Sequence, residues 1–221
     1  MSYQMDWAAV AQQMPQLMKG VVFTLQISAT AYLCALVVGL GIALLRMSGI
    51  TALSAFAFVY TQFFRAIAIY IYIIWIYFGL AAITGINLSP FAASVIAITL
   101  LHSAYLSEIY RAAISHVSSG QAEAARSLGM GRLSTFFDVI APQALTVALP
   151  QLISQFAMIV KDSAVVALIG ASDLMYETIR AANLEFRTFE FYTVAAAIYV
   201  VIVLAVSGVG GLFEKQLRRG G

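Results

Sequence analysis

The sequence predicts an all-α integral membrane protein with about five transmembrane helices, on three observations. Of its 221 residues 62% are hydrophobic and only 10% charged, where an ordinary soluble domain carries about 25% charged residues. Mean hydropathy is +0.92, too much apolar surface to hide inside a soluble core. The chain also divides into five stretches of the length needed to cross a bilayer, about 20 mostly apolar residues each, separated by short polar segments. A net charge of +2 gives no footing for nucleic acid. The single cysteine, Cys34, sits among alanine and leucine; it can form no intramolecular disulfide and is expected to pack. The opening MSYQMDW has neither the basic stretch nor the cleavage site of a signal peptide.

The whole chain, 1–221, reads as one transmembrane domain. Residues 5–19 mix Trp7, Met14, Pro15 and Leu17 with polar side chains, as an amphipathic segment at the membrane interface would. Residues 20–115 hold three spans. The first, Gly20 to Leu45, carries no charge between Lys19 and Arg46, and its Gly39 and Gly41 suggest close helix packing. After a turn at Ser48 and Gly49, the second runs from Leu53 to Leu80 with Arg65 near its middle. ITGINLSP, with Gly85, Asn87 and Pro90, is turn chemistry, and there the chain reverses. The third span, Phe91 to about Ile114, has Glu108 and Arg111 three apart on one face, where they can pair. His102 on its apolar face is expected to be a bonded core histidine. Residues 116–142 form a polar loop, residues 143–213 hold spans four and five, and 214–221 are a tail. Between those last spans Ala171 to Glu190 carries six charges, expected to be a solvated outer face.

The polar loop, GQAEAARSLGMGRLSTFFDVIAP from Gly120 to Pro142, is the longest run of small and polar residues. Ser118 followed by Gln121 can form a capping box, and Gln121 to Leu128 is alanine-rich and favours helix. Gly129 and Gly131 interrupt it, a glycine just past a helix end being the usual left-handed cap. A second short helix, Leu133 to Ile140, is expected to stop at Pro142.

Charge sets the orientation. With Arg65 and Lys161 left out as intramembrane, Arg46, Arg111, Arg126, Arg132, Lys215, Arg218 and Arg219 fall on one side and Lys19, Arg180 and Arg187 on the other. The positive-inside rule makes the seven-charge side cytoplasmic, with the loop and C-terminus inside and the N-terminus outside.

Ionisable groups within the spans point to a charged or zwitterionic substrate, or to structural pairing. Lys161 and Asp162 are adjacent, so on a helix they diverge by roughly 100° and do not pair cleanly with each other. Gln155, Met158 and Asp162 share a face. A carboxylate there suits an ammonium group, an amide a neutral polar tail, and Arg65 a substrate carboxylate or Asp162 itself.

Glu123-Ala124-Ala125, then Gly129, then Val139-Ile140-Ala141-Pro142 resembles the EAA loop of membrane subunits of bacterial ABC importers. Val139 and Ala141 stand where that pattern has isoleucine and leucine. The flanks, Ala104 to Arg111 and Gln155-Phe156 through Lys161-Asp162-Ser163, resemble the polar amino acid permeases. The resemblance implies a type I importer-like permease of a bacterial inner membrane. It further implies a separate ATP-binding subunit that holds ATP and Mg and receives the loop through Glu123, Ala124, Ala125, Gly129 and Pro142. A second permease subunit, identical or homologous, and an extracytoplasmic substrate-binding protein docking on the outer loops complete the assembly. In such permeases the arginine of a Phe-Arg-Gly-Thr-Pro motif and the Lys-Asp pair surround the substrate. This chain keeps Phe64-Arg65 and Lys161-Asp162 but has Ala66-Ile67-Ala68 for Gly-Thr-Pro. Gln155 stands where some relatives that select basic amino acids have glutamate. The substrate set is thus Arg65, Gln155, Met158, Lys161 and Asp162, and the expected cargo is an amino acid or small zwitterion moved by alternating access.

No phosphate-binding loop, metal-ligand cluster or nucleophile motif occurs in the sequence. The chain is therefore expected to be no enzyme and to hold no cofactor of its own, with lipid around its spans. The competing expectation is a channel or secondary transporter driven by an ion gradient, relaying charge through Arg65, Lys161 and Asp162.

Overall fold

The computed structural model describes residues 5–219, with side chains through 211. Among these residues every regular element is a helix. They are α1 (Trp7–Met47), α2 (Thr51–Ala66), α3 (Ile69–Thr84), α4 (Pro90–His116), α5 (Ser119–Ser127), α6 (Arg132–Ile169), α7 (Leu174–Glu185) and α8 (Thr188–Arg219). Helices α1, α4, α6 and α8 are long and apolar enough to cross a membrane, and α2 with α3, bent by 103° at their junction, passes the same test only as a pair, a broken span or a re-entrant loop. Four of the five expected spans are single helices, and the second is the bent pair. Of the tail expected over 214–221, Gly220 and Gly221 lie outside the described residues, as do the side chains of Lys215, Arg218 and Arg219.

Three boundaries differ from the sequence expectation. The interfacial segment and first span are one helix of 41 residues with Pro15 inside it. Pro15 lies in the third turn, and polar residues on both sides of it remain helical because buried Val10 and Leu17 fix that stretch to a core. The second span is interrupted at Ile67 and Ala68, with Ala68 extended at φ −71°, ψ 124°. No glycine or proline occurs between Leu53 and Ile74, so no local breaker marked this position. The helix expected to stop at Pro142 continues through it. Immediately before that proline, Thr135–Ile140 is wound as a π-helix. Its wider i→i+5 ladder leaves room where the proline ring would strike the carbonyl four residues back.

The chain folds into two compact units. The first takes the chain up to Cys34, Ile67–Thr99 and Phe156–Val206. Its core is Val10, Leu17, Leu174, Ala181, Ala182 and Phe191, with Met14, Val21 and Tyr199 packed against it. Helix α1 comes so close to the start of α7 that a Cβ on Gly20 would lie 2.9 Å from the Asp173 carbonyl oxygen. Thr24 accepts the Leu174 N–H at 3.0 Å across the same approach.

Of the six charges between Ala171 and Glu190, expected to form a hydrated face, half are withdrawn from solvent, while Arg180 is exposed and Glu185 and Arg187 are partly so. Asp173, Glu177 and Glu190 are buried. Asp173 caps α7, accepting the Met175 and Tyr176 N–H groups at 3.2 and 2.9 Å. Glu190 accepts the Asp6 N–H at 3.0 Å and pairs with Arg187 at 3.3 Å. Glu177 pairs with Arg180 at 2.9 Å. Apolar surface also stands out into solvent: Phe186 is 89% exposed and holds the left-handed φ of 53° that ends α7.

The second unit takes Ala35–Ala66, Leu100–Gln155 and the chain from Ser207. Gly39 makes a close approach there, where a Cβ would sit 2.8 Å from the Leu106 Cβ and 3.0 Å from the Ser103 carbonyl. Gly41 has nothing within 4 Å, so of the two glycines only Gly39 does the packing expected of both. Tyr60 on α2 reaches α4 through Ser103 Oγ at 2.7 Å and the Leu100 carbonyl at 3.1 Å.

Candidate functional site

Two features of the second unit carry chemistry. The first is the polar loop, which is a short rigid bend. Ser118 caps α5, its hydroxyl accepting the Gly120 N–H at 3.3 Å, one residue short of the Gln121 N–H that a capping box would use. The helix begins at Ser119, so Glu123 lies beyond its first turn, where the helix dipole favours a carboxylate little. At the other end Gly129 takes φ +83°. Its N–H donates to the Arg126 carbonyl at 2.9 Å, and the Met130 N–H to the Ala125 carbonyl at 3.1 Å. These two bonds make a Schellman cap, which needs a residue that tolerates the left-handed region. Ala125 is buried beneath it, while Glu123 and Ala124 face out. Leu128 and Leu133, on either side of the bend, are 83% and 75% exposed.

The second feature is a cavity of about 360 Å³ lined by Arg65, Tyr105, Glu108, Arg111, Gln151 and Gln155, with Ile109 and Ala112. Arg65 ends α2 and rests its guanidinium 5.5 Å from the centre of the Tyr105 ring, which holds a cation without neutralising it. Glu108 and Arg111 pair as expected, at 2.7 Å, and do so on the cavity wall. His102 is buried, and Gln155 Nε2 lies 2.6 Å from its Nδ1, so it is the bonded core histidine that was expected.

Of the residues singled out in the sequence, Arg65 and Gln155 thus share a cavity. Met158, Lys161 and Asp162 do not line it; they belong to the first unit. There Met158 and Lys161 are exposed and Asp162 is half-buried, where α6 tightens into the 3₁₀ turns of Ser163–Ile169. Tyr105 and Gln151 were missed. The signal was spacing: Gln151 is one turn before Gln155, and Tyr105 is three residues before Glu108.

A polytopic helical bundle with a capped hydrophilic bend and a polar wall cavity is the architecture of a membrane transport subunit. Residues 35–219 match the family described as binding-protein-dependent transport system inner membrane component. The arginine transport system permease protein of Bacillus subtilis is 31% identical over 97% of this chain and 98% of its own. A crystal structure of an amino acid ABC transporter with histidines is 36% identical, covers 97% of this chain and 100% of that one, and superposes with a TM-score of 0.91. An inward-facing structure of the MetNI methionine ABC transporter, 19% identical, shares the fold over 93% of this chain and 98% of that one with a TM-score of 0.81. The chain belongs to the family of inner membrane components of binding-protein-dependent transport systems: it is the permease subunit of an ABC importer, a multi-pass membrane protein with the type I fold. Membership implies an ATP-binding subunit and further components. It sets aside the ion-gradient-driven reading.

Proposed function

We propose that this permease moves an amino acid, or a related small zwitterion, into the cytoplasm of a bacterial cell by alternating access. The single observation behind the cargo is Arg65 and Gln155 meeting on one cavity of about 360 Å³, a cation and an amide in a space of small-molecule size. The printed functions of its relatives, arginine transport and amino acid ABC transport, support the same class. Met158, Lys161 and Asp162 belong to the first unit and take no part in this cavity.

The bend from Ser118 to Gly131 is the coupling element. Glu123, Ala124, Ala125 and Gly129 shape it, Pro142 follows the π-helix that carries it into α6, and exposed Leu128 and Leu133 enter a cleft of the ATP-binding subunit. ATP and Mg sit on that subunit, and this chain performs no catalysis of its own. A second permease subunit, identical or homologous, makes the other half of the path. The loop and C-terminus lie in the cytoplasm and the N-terminus outside, a reading supported by the seven-to-three distribution of Lys and Arg. On the outer side exposed Phe186 and Phe189 offer an apolar tip to the substrate-binding protein. Phe186 holds a left-handed φ that costs a non-glycine residue roughly 1–3 kcal/mol, a strain in keeping with a functional position.

The test uses the complete transporter in liposomes. Gly129→Val forces a β-branched residue into the φ +83° position; the expected result is ATP hydrolysis without uptake. Gly129→Asn, which tolerates that region, is expected to keep uptake. Undiminished uptake by the valine variant contradicts the proposal.

A further inference from the structure

We propose that a cavity at the turn between α1 and α2 binds the phosphate of an anionic membrane lipid, with Arg46 as its counter-ion. The proposal uses neither the cargo cavity nor the coupling bend.

Between Asp6 and Glu108 the sequence holds no carboxylate. Arg46, in the last turn of α1, thus has no acid on α1, α2 or α3 to neutralise it. Among the described residues no acid from another element pairs with it either. Its Nη1 is closed off from solvent and has no hydrogen-bond partner. The guanidinium carbon lies 4.5 Å from the centre of the Phe58 ring, a contact that steadies the cation and leaves its charge in place. A guanidinium partly withdrawn from water with no anion beside it is costly. An anion brought from outside the chain offsets that cost.

The space for one is a cavity of about 450 Å³ lined by Arg46, Gly49, Thr51, Ser54, Ala55 and Phe58, wholly within the second unit. Arg46 is the one charged residue on this wall, and Thr51 adds a hydroxyl. The carbonyls that end α1 would repel an anion, but two of them are covered. Ser48 Oγ donates to the Leu45 carbonyl at 2.8 Å, and Ser54 Oγ to the Arg46 carbonyl at 3.1 Å.

Position selects a lipid over a free phosphate. Arg46 is the first charge after Lys19 and follows an uncharged run of bilayer length, so it stands where hydrocarbon gives way to headgroups. Beside the cavity Ile50, Phe56 and Val59 are exposed, an apolar surface that acyl chains cover and a free phosphate leaves bare. Basic pockets between spans at this level suit anionic headgroups. A zwitterionic headgroup would bring an ammonium to a wall that offers a cation and no acid.

The experiment is photolabelling of the intact transporter in nanodiscs with photoactivatable phosphatidylglycerol or phosphatidylcholine, read by peptide mass spectrometry. Phosphatidylglycerol is expected to label the segment from Met47 to Arg65. Arg46→Gln is expected to lower that label about fivefold, the scale of one basic residue at an anionic membrane surface. Thr51→Glu keeps Arg46 and places a carboxylate beside it, at an exposed helix start that suits a negative charge. It is expected to lower the label as much with the fold intact. Lys19→Gln, the same loss of charge at the other end of the span, is expected to leave it unchanged, as is added inorganic phosphate.

Equal labelling by phosphatidylcholine, or an equal loss in Lys19→Gln, would show general attraction to the membrane and overturn the proposal. Loss of label on adding inorganic phosphate would assign the cavity to the free anion and overturn it too. So would an unlabelled segment in the intact transporter, the result expected if a carboxylate of the ATP-binding subunit occupies Arg46.

Discussion

Asp173 shows how one buried group sets a measurable property. Burial pushes its carboxyl up to about 6 from an ordinary 3.8, and the Met175 and Tyr176 N–H groups only partly offset this. Between those two values the folded chain holds a proton that the unfolded chain has released. Stability therefore falls as pH rises through that window and levels off above it. The melting temperature of the detergent-solubilised protein is expected to drop from pH 4 to pH 6.5. Asp173→Asn keeps a capping oxygen without the charge, and is expected to flatten the curve. Asp173→Ala, losing the cap, is expected to cost about 1 kcal/mol at all pH values. At Phe186 two terms oppose each other, and the strain relief equals or exceeds the entropy cost. Glycine relieves a left-handed strain of about 1–3 kcal/mol and adds about 0.5–1 kcal/mol of unfolded-chain entropy. Phe186→Gly is expected to melt no lower than the unaltered protein. If the apolar tip docks a substrate-binding protein, the same variant is expected to bind that protein more weakly.

Helices report what the sequence could and could not disclose. The spans were legible because an uncharged run of bilayer length has few other uses. The Gly129 turn was legible because its conformation is local: a Schellman cap needs only the residues that form it. The break at Ile67 and Ala68 was not, for nothing in Phe64-Arg65-Ala66-Ile67-Ala68 forbids helix. Only the comparison with Gly-Thr-Pro had marked the spot. Pro142 misled in the opposite direction, since the π-helix before it absorbs the defect. Buried Asp173, Glu177 and Glu190 were hidden because sequence counts charges without showing which are paired. Gly39 and Gly41 also look alike in sequence and part company in space. Gly39→Ile is expected to cost about 1–3 kcal/mol by forcing α1 from α4. Gly41→Ala, with open space around it, is expected to be neutral or to gain up to about 1 kcal/mol. Thermal melts of the two variants side by side check both.

At the scale of the whole molecule, the chain supplies passage and linkage, and the proposal places the energy source elsewhere. The cavity residues were half legible: Arg65 and Gln155 from their cost in hydrocarbon, Tyr105 and Gln151 only once α4 and α6 were in place. Division of the five singled-out residues between two units could not be seen in one dimension. The claim that matters most is that the bend at Gly129 is seated in the ATP-binding subunit. Cys34 is the only cysteine, so Cys34→Ser gives a clean background. In that background Leu128→Cys is to be labelled with a thiol-reactive photo-cross-linker, whose maleimide bonds to the cysteine and whose benzophenone inserts on illumination into a C–H bond of whatever lies beside it, in the intact transporter, beside Phe186→Cys as the outer control. The account predicts a cross-link from position 128 to the ATP-binding subunit and none from position 186. A position 128 thiol that labels freely and joins no other chain would contradict it.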